Sequence, residues 1–278
     1  MIVEHQLLPY SLSEIPRGPY LVFAPHPDDE TFGMGGTICL AVQAGINVYV
    51  AFITNGDMGG DPEVRKKESD AALKILGVKK IFYFNLPDRK VLISQFPEKK
   101  LNDIMDEIQP LTIFLPSFQE IHPDHRAATH KVLSFLNNKN YSLDLWFYEI
   151  NRQGEVNRLI DITSVVDIKE EAMECYKSQL EQIDYNSHTL CLDFARSITL
   201  GRDVMYAEGF WHYDSGSCMT PENEYFNKLE KYKIGECNSG CPNSGCPVKS
   251  KRLKNLISFK STLQSIKECI QFLIGKFA

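Results

Sequence analysis

Two short segments of the chain combine histidine with carboxylate side chains at spacings that suit a catalytic metal. The first is His26-Pro27-Asp28-Asp29-Glu30, and the second is His122-Pro123-Asp124-His125. Two imidazoles and one carboxylate from these segments would leave coordination positions open, as in catalytic zinc or iron sites rather than closed structural ones. A spare carboxylate could accept a proton from water, and a spare histidine could stabilise or protonate the departing group.

A single loop histidine more often caps a helix or orients a neighbour than binds a metal. Two dense clusters of His and Asp favour the metal instead, provided that both lie at corresponding strand ends. The interpretation therefore depends on the elements that carry the clusters.

Short apolar runs alternate with amphipathic segments over the first 150 residues. This alternation predicts an α/β fold, a Rossmann-like and mainly parallel sheet with helices on both faces, plus a C-terminal extension. The predicted strands are residues 20–25, 48–53, 80–85, 111–115 and 143–150, and residues 207–211 are interpreted as a late strand or a loop. The predicted helices are residues 35–44, 62–76, 97–109, 124–136 and 168–182. Ligands of such sheets bind beyond the carboxyl ends of the strands, where both clusters are expected.

Composition and charge exclude several classes of protein. Of the 278 residues, 43% are hydrophobic and 24% are charged, which excludes wholesale disorder. The net charge of −6 argues against general nucleic-acid binding. No apolar run approaches the ~20 residues of a membrane-spanning helix, and the first residues do not resemble a secretory leader. We therefore expect a soluble, cytoplasmic protein.

Changes in composition predict three regions. Residues 1–214 would form the main domain, 215–251 a linker rich in Ser, Asn, Gly, Pro and Cys, and 252–278 a basic amphipathic helix. From Lys249 onward the chain has seven bases and one acid, a charge of +6 that leaves −12 for the rest. The helix is interpreted as docking on the domain or on another subunit of a homo-oligomer, with peripheral binding to anionic lipid as the alternative.

The cysteines and a glycine cluster have simple interpretations. Cys39, Cys175 and Cys191 are interpreted as small core residues in a reducing compartment. Cys237, Cys241 and Cys246 lack the usual C-x2-C spacing of a structural zinc site, so a flexible linker is favoured.

Glycines 33, 35 and 36 lack the third spaced glycine of a dinucleotide fingerprint, so they are assigned to tight helix packing rather than NAD binding.

The two motif segments resemble those of the LmbE-like, or PIG-L, N-acetylglucosaminyl deacetylases. Residues 24–30 are similar to the first signature of that family, and residues 122–125 are similar to the second. Further similar segments are residues 65–68, 86–88, 148–149, 167–169, 176–179 and 207–210, so the resemblance spans about residues 18–212. It implies one catalytic zinc ion, with Fe²⁺ or another divalent metal as an alternative, bound by His26, Asp29 and His125.

The resemblance also implies roles in proton transfer and substrate binding. Asp28 would be the general base, and His122 would stabilise the oxyanion or protonate the amine, with Asp124 orienting it. Candidate contacts to the sugar conjugate are Arg65, Asp88 and Asp57. The alternative for Arg65 is a solvated helix charge that pairs with Glu68.

The implied reaction is hydrolysis of the N-acetyl group of an N-acetylglucosamine-type conjugate, giving acetate and an amine. A lipid- or nucleotide-linked sugar competes with a small thiol-pathway glycoside as the substrate. Thiol-pathway members often have a tyrosine two residues before the second motif, where this chain has Glu120. An ionised Glu facing the oxyanion would repel it, which weakens the thiol-pathway expectation. An amidase for another N-acyl group and an inactive metal- or sugar-binding module remain as alternatives.

Overall fold

The computed structural model describes residues 12–213 except 138, 140 and 142. The strands are β1 Tyr20–Ala24, β2 Val48–Thr54, β3 Lys80–Leu86, β4 Thr112–Pro116, β5 Asp144–Tyr148, β6 Arg158–Asp161 and β7 Ala207–Tyr213. The α-helices are α1 Asp29–Gln43, α2 Pro62–Ile75, α3 Glu98–Ile108, α4 Pro123–Asn137, α5 Val166–Met173, α6 Lys177–Leu180 and α7 Tyr185–Arg196. The predicted linker, the predicted C-terminal helix and the three thiols near residue 240 lie outside the described residues.

The strands form one sheet in the order β3-β2-β1-β4-β5-β7-β6. Strands β1 to β5 pair in parallel, whereas β7 is antiparallel to both β5 and β6. The predicted mainly parallel α/β fold is therefore confirmed. Strand β1 lies between β2 and β4, so the chain order reverses there, and the crevice at such a reversal is where open α/β sheets bind ligands.

Both faces of the sheet are covered, as the apolar strands require. Tyr20, Val22 and Ala24 of β1 pack in one core with helices α1, α2 and α5. Leu21 and Phe23 of the same strand point the other way, into a second core with α3 and α4. In the part of the chain that the structure describes, none of the helices has the length and apolar character to cross a membrane.

The region after β5 differs most from the sequence prediction. The single helix predicted over residues 168–182 is wrong, because the chain forms α5 and α6 with a turn between them. The hydroxyl of Tyr176 in this turn donates to Glu30 Oε1 at 2.7 Å. This contact anchors the turn to α1, a tertiary constraint that helical periodicity does not contain. Strand β6 and helix α7 were not predicted.

Helix α1 begins at Asp29, earlier than the predicted start at Gly35, and is interrupted at Met34, whose φ is −152°. A Cβ on Gly36 would lie 2.6 Å from the side chain of Ile162, so only glycine lets the helix approach so closely. The assignment of these glycines to tight packing is confirmed at Gly36.

Candidate active site

The two His/Asp clusters meet because their strands are neighbours. Strands β1 and β4 run side by side, with Val22 opposite Phe114. Helix α1 follows β1 after one short loop, which carries His26 and leads into Asp29 at the helix start. Helix α4 follows β4 in the same way, and its first turn carries His125. The fold thus brings the side chains of both segments to one edge of the sheet.

Three donor atoms form a small triangle at this edge. His26 Nδ1 lies 3.1 Å from Asp29 Oδ2 and 3.3 Å from His125 Nε2. The third side, from Asp29 Oδ2 to His125 Nε2, is 3.2 Å. Ligands at about 2.0–2.1 Å from a tetrahedral zinc stand about 3.3–3.4 Å apart. The triangle therefore fits one face of a tetrahedral metal site.

The charges of the triangle also suit a divalent cation. Burial lowers the pKa of His125, but Asp29 and Glu120 outweigh it and raise this pKa to about 9. Burial opposes ionisation of Asp29, but the two histidines hold its pKa well below the usual range. The site thus favours positive charge in its centre, and a metal ion would bind there by displacing protons from the imidazoles.

Each histidine of the triangle has a carboxylate next to its other ring nitrogen. His26 Nε2 lies 3.2 Å from Asp88 Oδ1 and 3.7 Å from Asp124 Oδ2. His125 Nδ1 lies 3.3 Å from Glu120 Oε2. Carboxylates in this position fix the tautomer and ring orientation of metal-binding histidines.

The placement of Glu120 corrects the expectation drawn from the sequence. Its side chain is buried, only 1% of the residue is exposed, and the carboxylate also accepts from the backbone N–H groups of Ile150 and Asn151. Glu120 does not line the cavity, so it supports His125 from behind instead of facing an oxyanion. No residue pattern predicts this contact, because Glu120 and His125 lie five residues apart across a loop and the start of a helix.

Asp28 is held in an unusual backbone conformation beside the triangle. Its φ is +145°, in the region that favours glycine, so the surrounding contacts have to stabilise it. Arg65 Nη2 donates to Asp28 Oδ2 at 2.7 Å, and the same guanidinium binds the carbonyl oxygens of Pro27 and Gly56. Burial raises the pKa of Asp28 to about 6, although Arg65 opposes this shift. Arg65 is buried, so the solvated Arg65–Glu68 pair does not form.

His122 lies against the triangle with its ring at 89° to that of His26 and the centroids 4.7 Å apart. The backbone N–H of Asp124 donates to His122 Nδ1 at 3.2 Å, which places the proton of neutral His122 on Nε2. Burial lowers the pKa of His122 and favours this neutral form. The Asp124 carboxylate accepts from the backbone N–H groups of Arg89 and Val91, so Asp124 contacts His122 through its backbone rather than its side chain.

A cavity of about 630 Å³ opens above these groups. Its wall includes His26, Asp28, Arg65, Asp88 and His122. Asp57 is not among the described residues that line it: the carboxylate of Asp57 turns away and accepts from the backbone N–H of Asp88 at 3.0 Å. The structure therefore brings Asp57 to Asp88, another predicted site residue, but does not place Asp57 in the cavity wall.

Comparisons with known proteins identify the family. Residues 21–136 match the PIG-L family, described as GlcNAc-PI de-N-acetylase. The diacetylchitobiose deacetylase of Thermococcus kodakarensis is 30% identical over 221 residues, which cover 68% of this chain and 80% of that protein. The chain belongs to the PIG-L family. A probable N-acetyl-alpha-D-glucosaminyl L-malate deacetylase 2 of Bacillus subtilis is 30% identical over 184 residues, covering 58% of this chain and 83% of the relative.

A solved structure shares both the fold and recognisable sequence with this PIG-L protein. The N,N'-diacetylchitobiose deacetylase of Pyrococcus horikoshii aligns with a TM-score of 0.64 and 26% identity. The alignment covers 75% of this chain and 89% of that one. The family assignment thus rests on sequence and fold together, and extends past residue 136, where the family match ends.

Replacing Glu120 by glutamine in this PIG-L protein is expected to weaken metal binding by about 10–100-fold, because His125 loses its charged partner. Competition with a chromophoric chelator measures the affinity. Glu107→Gln is the matched control, since Glu107 pairs with Lys80 at the surface and should bind metal like the wild type. Equal affinities of Glu120→Gln and the wild type would show that Glu120 does not support the site.

Proposed function

We propose that the protein is a metal-dependent hydrolase that removes the N-acetyl group from an N-acetylglucosamine-type sugar conjugate. The observation that carries the proposal is the donor triangle at the floor of a cavity, with Asp28 and His122 beside it. The named activities of the relatives point to the same reaction class.

The metal would be held by His26, Asp29 and His125. Zinc suits a set of two imidazoles and one carboxylate, and Fe²⁺ accepts the same ligands. When bound, such an ion supplies Lewis acidity, which polarises an amide carbonyl and makes water acidic enough to act as a nucleophile near neutral pH. Asp88, Asp124 and Glu120 would keep the two imidazoles in their ligating orientation.

Asp28 would act as the general base. A pKa near 6 leaves it ionised at neutral pH yet basic enough to accept a proton from the attacking water. As the C–O bond forms, this proton moves to Asp28, and as the C–N bond breaks, it is available for the leaving nitrogen. The products are then acetate and the free amine. Arg65 would be a positioning residue that holds the Asp28 carboxylate through its 2.7 Å contact.

His122 would stabilise the oxyanion. Its Nδ1 accepts a hydrogen bond from the backbone, so Nε2–H is the group free to donate. A neutral donor in a buried site stabilises developing negative charge without moving a proton. The sugar would bind in the cavity above, with Asp88 in its wall.

Acetate release from a panel of N-acetylglucosamine conjugates tests this function. The panel contains lipid-linked, nucleotide-linked and simple glycosides, each assayed with the protein as purified, after chelation and after zinc is restored. Release that stops on chelation and returns with zinc supports the proposal, and the preferred conjugate names the substrate class. No acetate from any conjugate, with metal demonstrably bound, would contradict it.

A further inference from the structure

The mouth of the active-site cavity carries three exposed apolar side chains. Met58, Ile121 and Ile183 all line the cavity, and they are 59%, 64% and 54% exposed. They come from three separate loops, which follow β2, follow β4 and precede α7. Single exposed apolar residues are common on protein surfaces, but three of them around one cavity opening indicate a surface that a ligand can contact. We call these three residues the apolar rim.

Hydrogen bonds join the two segments that carry Met58 and Ile183 of the apolar rim. The side-chain amides of Gln179 and Gln182 both donate to the carbonyl oxygen of Gly59, each at 3.1 Å. Gly59 follows Met58, and Gln182 precedes Ile183. These bonds tie the loop after β2 to α6 and to the segment that follows it, so the backbone that carries Met58 is joined to the backbone that precedes Ile183.

The third member is fixed at the catalytic side of the mouth. The guanidinium of Arg126 donates to the carbonyl oxygen of Ile121 at 2.7 Å and also to that of Glu120. Ile121 directly precedes His122, whose Nε2–H faces the reaction in the proposed function. The backbone of Ile121 is therefore held in place, and Ile121 directly adjoins a group of the proposed reaction.

We propose that the apolar rim binds an apolar aglycone attached to the amino sugar. The inference rests on the proposed function, because it assumes that the acetamide lies at the polar floor of the cavity. Charged and imidazole groups surround that floor, whereas Met58, Ile121 and Ile183 are apolar and line the opening. The aglycone of a conjugate would extend from the floor through this opening and contact them. A cavity of about 630 Å³ falls in the range that encloses a drug-sized ligand, so it has room beyond an acetamide group.

The test compares methyl and hexyl N-acetyl-β-D-glucosaminide as substrates of the full, metal-loaded chain. Each methylene taken fully out of water favours binding roughly fourfold. The rim residues are about half exposed, so they should take only part of the hexyl chain out of water. We therefore expect kcat/KM for the hexyl glycoside to be at least about tenfold higher than for the methyl glycoside. In a triple variant, Met58→Gln, Ile121→Gln and Ile183→Gln, this ratio should fall below about threefold. Ile198→Gln is the matched control, because Ile198 is 75% exposed but does not line the cavity.

Each outcome decides the proposal. A wild-type ratio near one, a triple variant that keeps the full ratio, or a control that loses it would overturn the assignment to the apolar rim. If neither glycoside releases acetate, the full panel of conjugates decides the deacetylase proposal, and calorimetric titration with the same two glycosides tests the rim separately. Tighter binding of the hexyl glycoside by about tenfold, lost in the triple variant alone, would then support the rim, and equal affinities would overturn it.

Discussion

Replacing Asp28 by asparagine is expected to lower kcat/KM for acetate release by about a thousandfold. A positioned general base contributes roughly 10²–10⁴ in rate, and asparagine keeps the shape of the side chain while removing its basicity. The donor triangle does not include Asp28, so the variant should still bind metal. Steady-state kinetics with the best conjugate of the panel, together with metal analysis of the purified variant, measure both quantities.

A matched control separates the loss of the base from a general effect of losing a carboxylate. Asp57→Asn also removes a carboxylate at the same edge of the sheet, in the loop after β2. However, Asp57 does not line the cavity. Its bond to the Asp88 backbone can be made by the asparagine oxygen, so kcat/KM should fall by less than about fivefold. An Asp28→Asn variant that keeps its metal and more than a tenth of wild-type activity would exclude Asp28 as the base.

The sequence predicted that the two His/Asp clusters meet, because both follow strands that were recognisable from their apolar runs, and the ends of parallel strands meet at one edge of a sheet. The choice of His26, Asp29 and His125 within the clusters came from the resemblance to the PIG-L family. The residues around them could not be predicted in the same way. The contact of Glu120 with His125 depends on the path of the loop between β4 and α4, which no residue pattern describes.

Loop conformation also explains why Asp57 does not line the cavity. Asp57 follows a predicted strand, as do the other site residues, but its orientation is set by the next loop along the sheet edge. Asn85 near the end of β3 and Arg89 in that loop have positive φ, so the backbone turns and presents the N–H of Asp88 to the Asp57 carboxylate. Positive φ at residues other than glycine is uncommon and follows from tertiary contacts, so the sequence did not indicate it.

A buried lysine, Lys169, stabilises the interrupted part of helix α1 through the carboxylate of Glu208. The backbone N–H groups of Gly36 and Thr37 lie just after the break at Met34, and both donate to the Glu208 carboxylate at 2.8 Å. Lys169 is fully buried and places Nζ 2.7 Å from Glu208. A second carboxylate, that of Asp193, also lies 2.7 Å from Lys169 Nζ. The lysine therefore neutralises two buried acids, one of which holds the helix that begins at the donor triangle.

Replacing Lys169 by methionine is expected to lower the free energy of unfolding by about 3–5 kcal/mol, because it leaves both carboxylates buried without their cation. Urea unfolding followed by tryptophan fluorescence measures the change, since both tryptophans of the chain, Trp146 and Trp211, are buried in the sheet. Lys99→Met is the control. Lys99 pairs with Asp103 at the surface, where such a pair contributes less than about 1 kcal/mol.

Neutralising the stranded acids tests the cause of this loss. Adding Asp193→Asn and Glu208→Gln to the Lys169→Met variant removes the uncompensated charges, while the glutamine oxygen can still accept from one of the two N–H groups of helix α1. The combined variant should therefore be more stable than Lys169→Met alone, although it contains more substitutions. If the added substitutions lowered stability further, uncompensated charge would not account for the effect of Lys169→Met. A single Lys169→Met variant as stable as the wild type would show that the lysine charge does not matter for folding.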